Sequence, residues 1–268
     1  MTATRSGPTT AGQGGTGHAD RVFRVQEALS RLGPGAHRLS AIARAADLDD
    51  STTSRILQSG VYRGHFERPS RGRYQLGGRV AELALHAYAR HDSDSVLAVL
   101  QQLRARTDGG MALHYTLTPG VQPGRQCAEM AVGDSDLEEF GMSPREVLAI
   151  TRSLRVGASG RTILAYLPEA VQCRAQHEPI PPQAGRGAIH NPVALAASLA
   201  AIRDHGYALG YEECMDGWNT IAAPTFAGVA IQGAVLLLRP ARLMPRAPRP
   251  YITATKTAAA AISRMHAS

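Results

Sequence analysis

The side chains whose types and spacing could do chemistry cluster near one end of the chain. Ser51, Thr52, Ser54, Arg55 and Gln58 fall on the outward side of a helical pattern whose inward side is Thr53, Ile56 and Leu57. A guanidinium pairs bidentately with guanine and a carboxamide with adenine, and hydroxyls at a helix start meet phosphates or base edges. Slightly further on, Arg68, Arg71 and Arg73 surround the turn residue Gly72. Arginines so placed meet phosphates or the minor groove, positioning a protein more than specifying a sequence.

Other chemistry finds less support. Ser159 stands in Gly157-Ala158-Ser159-Gly160, which is not G-x-S-x-G and lacks the apolar strand such a nucleophile needs. His177, His190 and His205 could supply a base only through tertiary contacts. Neither a P-loop nor H-E-x-x-H occurs. Cys127, Cys173 and Cys214 are widely spaced, which fits reduced thiols better than a disulfide framework or zinc site. No metal, cofactor or catalytic residue is therefore expected.

The candidate reading residues need a scaffold, and the chain has room for one. Its 268 residues with 44% hydrophobic content suit two domains. A helix is expected over 20–32, with Asp20 as N-cap and Val22, Val25, Leu29 and Leu32 inward. A short helix follows, with Ser40 as N-cap and Ile42 and Ala46 inward, then the tight connection 47–49. A third helix starts at Asp50 or Ser51 and runs to Gln58. Two strands, 65–68 and 73–76, flank a turn at 69–72. Helix, helix, turn, helix, hairpin is the order of a winged helix-turn-helix.

Charge agrees. Residues 1–90 hold 13 arginines against 7 acids, a net +6, while the rest holds 16 basic residues against 15 acids, a net +1. A local basic excess is the footprint of a polyanion-binding module, although a solvated basic surface gives the same count. Residues 1–19 are Gly/Thr-rich and read as a disordered tail. No apolar run approaches the ~20 residues of a membrane span, and no signal peptide is visible, so a cytoplasmic protein is expected.

From 78 to about 106 the pattern is helical again, with Val80, Leu83, Ala84 and Ala87 on one face and Val96, Val99, Leu100 and Leu103 later. Residues 92–95 cap a new helix or bend a long one, and the domain boundary is placed here. Beyond it, strands are expected at 111–117, 126–132, 206–213, 219–226 and 231–238. Helices are expected at 159–167, behind Asn191 and Pro192, and at 251–265. Sequential strands with short connections give an antiparallel sheet with helices packed on one side, an α+β layout.

These pieces together resemble the IclR family of bacterial transcription regulators from about Asp20 onward. The resemblance rests on LSAIARAADLDDSTTSRILQ (39–58), Gly64, GRYQLG (72–77), GASGRTILAYLPEA (157–170), IRDHGYALGYEE (202–213) and IAAPTF (221–226), in that order. It implies a winged helix-turn-helix at 20–78, a linker helix region at 79–106 and a GAF-like effector-binding domain at 107–268. It also implies a homodimer or homotetramer on a double-stranded operator, with repression the commoner outcome. The family's effector cup maps onto Ala158, Ser159, Gly210, Trp218, Thr220, Leu236 and Leu238. Backbone N–H groups at a helix start such as Ala158 and Ser159 favour a carboxylate. The remaining positions are mostly small or apolar, which points to an aromatic or apolar acid. Polar contact is left to Ser159, Thr220 and the His114–Tyr115 pair. Trp218 fits core packing as well as a pocket, His114 reads more simply as a strand histidine, and Glu212 and Glu213 fit a salt-bridge role as well as a binding one.

Two departures stand out. Gly60 occupies a position where the family usually has leucine, which is expected to loosen the end of the third helix. The acidic stretch 133–152 fits the family pattern poorly. Two other readings stay open: a small-molecule sensor without specific DNA binding, and a hydrolase-type enzyme.

Overall fold

The computed structural model describes residues 17–88, 93–118, 122–133, 136–244 and 248–267. Most of the expected tail lies outside these residues, as does Asp92 of the expected cap or bend. The chain divides into two compact units, Met1–Ala84 and Leu85–Ser268.

The first unit opens with α1 (Gly17–Leu32), three residues longer at its start than the periodicity predicts, so Asp20 lies in the first turn and is not the N-cap. A two-residue strand β1 (His37–Arg38), too short to show alternation, precedes α2 (Leu39–Ala46). Arg38 and not Ser40 is the N-cap position of α2, and it makes no side-chain capping bond. Asp47 then turns the chain in the left-handed region at φ 52°, a conformation Asp tolerates better than most residues. Next comes α3 (Asp50–Tyr62), capped by Asp49. It runs four residues past Gln58, so the helix continues through the glycine that was expected to loosen its end.

The reason is steric. A Cβ on Gly60 would collide with the ring of Phe66, so the aromatic side chain fills the space that a larger residue would take. Phe66 opens β2 (Phe66–Ser70), which turns at Arg71 and Gly72 into β3 (Arg73–Leu76). Pro69 is thus in a strand and not in the turn. The three strands pair in the order β1-β3-β2. Val25, Ala28, Leu29, Ile42, Ala46, Ile56, Leu57, Phe66 and Tyr74 make one core, each fully buried Leu or Ile contributing about 1.5–3 kcal/mol. The following α4 (Gly78–Tyr88) leaves Leu83 exposed and Val80 half-buried.

The second unit starts at Leu85, within α4, and continues with α5 (Ser93–Arg106), β4 (Met111–Thr118) and β5 (Gly124–Ala131). Two short helices, α6 (Asp136–Phe140) and α7 (Pro144–Ala149), occupy much of the acidic stretch; Ser143 and Glu146 form a capping box on α7. The strand β6 (Arg152–Ser153) leads into α8 (Ala158–Ala165), then α9 (Glu169–Gln176) and α10 (Pro192–His205). Asn191 caps α10 through the N–H groups of Val193 and Ala194, and Gly206 ends it at φ 73°. The strands β7 (Ala208–Tyr211), β8 (Trp218–Ala227) and β9 (Ala230–Pro240) and the helix α11 (Arg249–Ala267) complete the unit.

Six antiparallel strands form one sheet in the order β6-β5-β4-β9-β8-β7. Helices cover both faces, not one. Met111, Leu113 and Tyr115 point to the face packed by α8 and α10, with Leu236 and Leu238 beside them. The intervening Ala112, with Val235, points to the face packed by α5 and α11. Alternation along buried strands requires two apolar partners, and the chain supplies α8 and α10 for one face and α5 and α11 for the other.

Candidate functional site

The outward face of α3 is set by its cap. Asp49 accepts the Thr52 N–H and the Ser51 hydroxyl, each at 2.7 Å. Those bonds, the Ser51 hydroxyl foremost, hold its carboxyl well below the usual aspartate range. Thr53, Ile56 and Leu57 are buried, Ser51, Arg55 and Gln58 are exposed, and Thr52 and Ser54 are half-buried. The Gln58 amide donates to Ser54 Oγ at 3.4 Å, a contact readily exchanged for another acceptor. Arg55 has no hydrogen bond or ion pair among the described residues.

The wing arginines differ from one another. Arg73 donates to the Ala36 carbonyl at 3.1 Å, tying the hairpin to the start of β1. Arg68 lies 5.8 Å above the Tyr74 ring. Arg71, at the turn, has no such attachment among the described residues. Behind them, α1 and α3 enclose a groove of about 680 Å³. Its lining includes His18, Arg21, Arg55, Arg63 and His65 and no Asp or Glu. Sequence reading did not single out Arg21, Arg63 or His65. Their only signal was the regional charge excess, because α1 and the end of α3 meet only in the fold.

In the second unit, the sheet register aligns several of the expected cup positions. Gly210 pairs with Thr220, Thr220 with Leu238, and Ala222 with Leu236. The Thr220 hydroxyl donates to the Gly210 carbonyl at 3.3 Å, and a Cβ on Gly210 would lie 3.4 Å from Ala158 Cβ. Trp218 meets Phe140 edge to face at 5.2 Å. Ser159 is buried in the first turn of α8. The same face carries Tyr115, whose hydroxyl burial pushes up to about 12. Its neighbour His114 points to the opposite face, 3.3 Å from Thr225 Oγ1 and stacked near His266, so the pair does not act together in the cup.

The two glutamates form ion pairs. Glu212 holds Arg186 at 2.7 Å on the surface. Glu213 makes a two-point bond with Arg161, whose remaining N–H groups reach Ser198 Oγ and the Leu209 carbonyl. Burial pushes the Glu213 carboxyl up, and Arg161 opposes it. A further arginine, Arg125, is buried beneath α8 and did not figure among the expected residues. The expected strand start at Gln126 excluded it, whereas the strand begins at Gly124. Among the described residues no cluster of His, Cys, Asp or Glu could hold a metal, and no helix is long and apolar enough to cross a membrane.

Comparison with known proteins matches both units. A family model described as the IclR helix-turn-helix domain matches residues 18–64, and one described as the bacterial transcriptional regulator IclR C-terminal matches residues 145–264. A probable HTH-type transcriptional regulator ArcR of Halobacterium salinarum is 28% identical over 188 residues, 69% of each chain. A probable transcriptional regulator SauR of Cupriavidus necator is 28% identical over 230 residues, 80% of this chain and 84% of that one. An IclR homolog from Microbacterium hydrocarbonoxydans, crystallised with 4-hydroxybenzoate, shares the fold at TM-score 0.56 and 23% identity, covering 93% of this chain and 98% of its own. The IclR of Thermotoga maritima gives the same TM-score, identity and coverage.

Proposed function

Because the chain belongs to the IclR family of bacterial transcription regulators, we propose that α3 is its recognition helix and that Ser51, Thr52, Ser54, Arg55 and Gln58 meet the major groove. The protein is a transcription regulator with an N-terminal helix-turn-helix DNA-binding domain and a C-terminal effector-binding domain. The observation that carries the finer reading is the division of α3 into a buried apolar stripe and an exposed polar face holding an unattached arginine. Arg71 contacts phosphate from the wing, with Arg68 and Arg73 supporting it. The basic groove between α1 and α3 extends the contact to flanking phosphates through Arg21 and Arg63.

The cup of the second unit takes a small organic acid, its apolar part against Trp218, Leu236 and Leu238 and its polar contacts at Ala158, Ser159, Gly210 and Thr220. A fold relative holds 4-hydroxybenzoate, so aromatic acids are the first effectors to test. The protein acts as a homodimer or homotetramer and represses. The effector binds two quaternary states unequally and so changes the spacing of paired recognition helices. A mobility-shift titration on the gene's own upstream DNA, with excess competitor and varied salt, tests this. A retarded band that survives competitor and responds to an acid is expected. A band that competitor abolishes favours the sensor without specific DNA binding.

A further inference from the structure

Arg125 is 3% exposed, and three features make its positive charge unfavourable where it sits. First, it is out of water without an acid of its own: Nη1 donates to the Ser153 carbonyl, Nη2 lies 4.0 Å from Cys214 Sγ, and buried Nε has no partner. The buried carboxylate in this region, Glu213, faces the Gly157 N–H and acts on Arg125 only at a distance, because Arg161 engages it at both oxygens. Second, its direct cross-strand neighbour is Arg152, also a cation, whose Nε is buried without a partner and whose Nη2 reaches only Met142 Sδ. Like charges opposite each other on a sheet repel. Third, the guanidinium presses against the positive end of α8. A Cβ on Gly160 would lie 2.5 Å from Nη1, and one on Gly157 3.3 Å from Nη2. A cation belongs at the other end of a helix.

One anion relieves all three. Placed at the first turn of α8, it would pair with the guanidinium, separate the two arginines and accept N–H groups of the helix start. That turn also carries Ala158, which packs beside Gly210, so the spot is continuous with the cup. Beside it stand Tyr115, whose ring centre is 5.4 Å from the guanidinium carbon, and Ala158, both members of the apolar cluster to which Trp218 and Leu236 also belong. We propose that Arg125, assisted by Arg152, anchors the carboxylate of the effector and makes the cup selective for organic acids over their uncharged analogues. This rests on the reading of the second unit as the effector-binding domain. Two other deeply buried arginines have orphaned nitrogens and carry less of the same strain: Arg155 has Glu178 acting on it and bonds the His190 carbonyl, and Arg239 bonds the Thr107 carbonyl and reaches Asp108 through Tyr251.

The test compares acids with their amides. Thermal unfolding of the full chain is followed with benzoate, phenylacetate and hexanoate, each beside its amide, for the natural sequence, Arg125→Met and Arg152→Met. At least one acid should raise the unfolding temperature while its amide does not. Its half-saturating concentration should rise about tenfold or more in Arg125→Met and less in Arg152→Met. Without acid, Arg125→Met should unfold at the same temperature as the natural sequence or higher, because it removes an uncompensated charge. The proposal is overturned if no acid stabilises the protein, if an amide matches its acid, if Arg125→Met keeps the response, or if that variant is destabilised without ligand. A parallel mobility shift separates the two ideas. Loss of specific DNA binding would remove the regulator reading yet leave acid-dependent stabilisation intact, and a normal shift with no acid response would do the reverse.

Discussion

The two units use arginine in opposite surroundings. Among the described residues of the first unit no arginine is buried, whereas in the second Arg125, Arg155, Arg161 and Arg239 are 2–6% exposed. An exposed guanidinium keeps its hydration, adds little to stability and stays available to a polyanion. A buried one costs several kcal/mol unless partners satisfy it. Arginine therefore serves the first unit as a contact and the second as a structural or ligand-binding element. Arg239 shows a better-bonded case: it reaches the Thr107 carbonyl and the Tyr251 hydroxyl, with Tyr251 donating to Asp108, and only its Nε is left without a partner.

Substitutions in both units and one titration would break or sharpen this contrast. The largest effect is expected from Arg161→Met, which strands Glu213 without its cation. It should cost about 3–5 kcal/mol in urea unfolding, and a loss under 1 kcal/mol would show that burial does not govern this arginine. In the first unit, packing and not charge should set stability. Gly60→Ala drives a methyl into the Phe66 ring and should cost about 1–3 kcal/mol, with part recovered when Phe66→Leu is added. Arg55→Ala should leave the unfolding temperature unchanged while weakening operator binding by about 1–3 kcal/mol with relaxed base preference; unchanged affinity would remove α3 from the groove. Arg71→Ala should weaken binding to all sequences alike and lower the salt slope by about one. The smallest effect concerns pH. The Asp49 carboxyl is depressed in the folded state, so its capping contribution is complete above the unfolded value near ~4 and fades as pH falls toward the folded value. Asp49→Asn should keep the cap and flatten that acid limb of the stability curve.

Much of the fold was legible because local chemistry and tertiary structure agree. The alternation of Thr53, Ile56 and Leu57 with polar neighbours, the Asn191-Pro192 cap and the Gly206 stop act within a few residues. What was missed depends on distant partners. Gly60 reads as a weak point until Phe66 is seen to fill it. Asp49 caps α3, although Asp50 and Ser51 offer equally good chemistry nearby. The inward set of β5 was cut short by two residues, which hid Arg125 although it lies two positions before buried Cys127. The charge excess that marked the first unit had no counterpart in the second, where Arg125 and Arg161 are balanced in the count by acids elsewhere.

The fit between Gly60 and Phe66 also restricts the order in which this sequence can change. A side chain grows at position 60 only at a cost while the ring stands at 66, whereas the ring can shrink first and leave only a gap. A descendant that placed a leucine at position 60 would therefore pass most easily through a smaller residue at 66 beforehand. Two sites in different elements are thereby bound to a preferred order of steps.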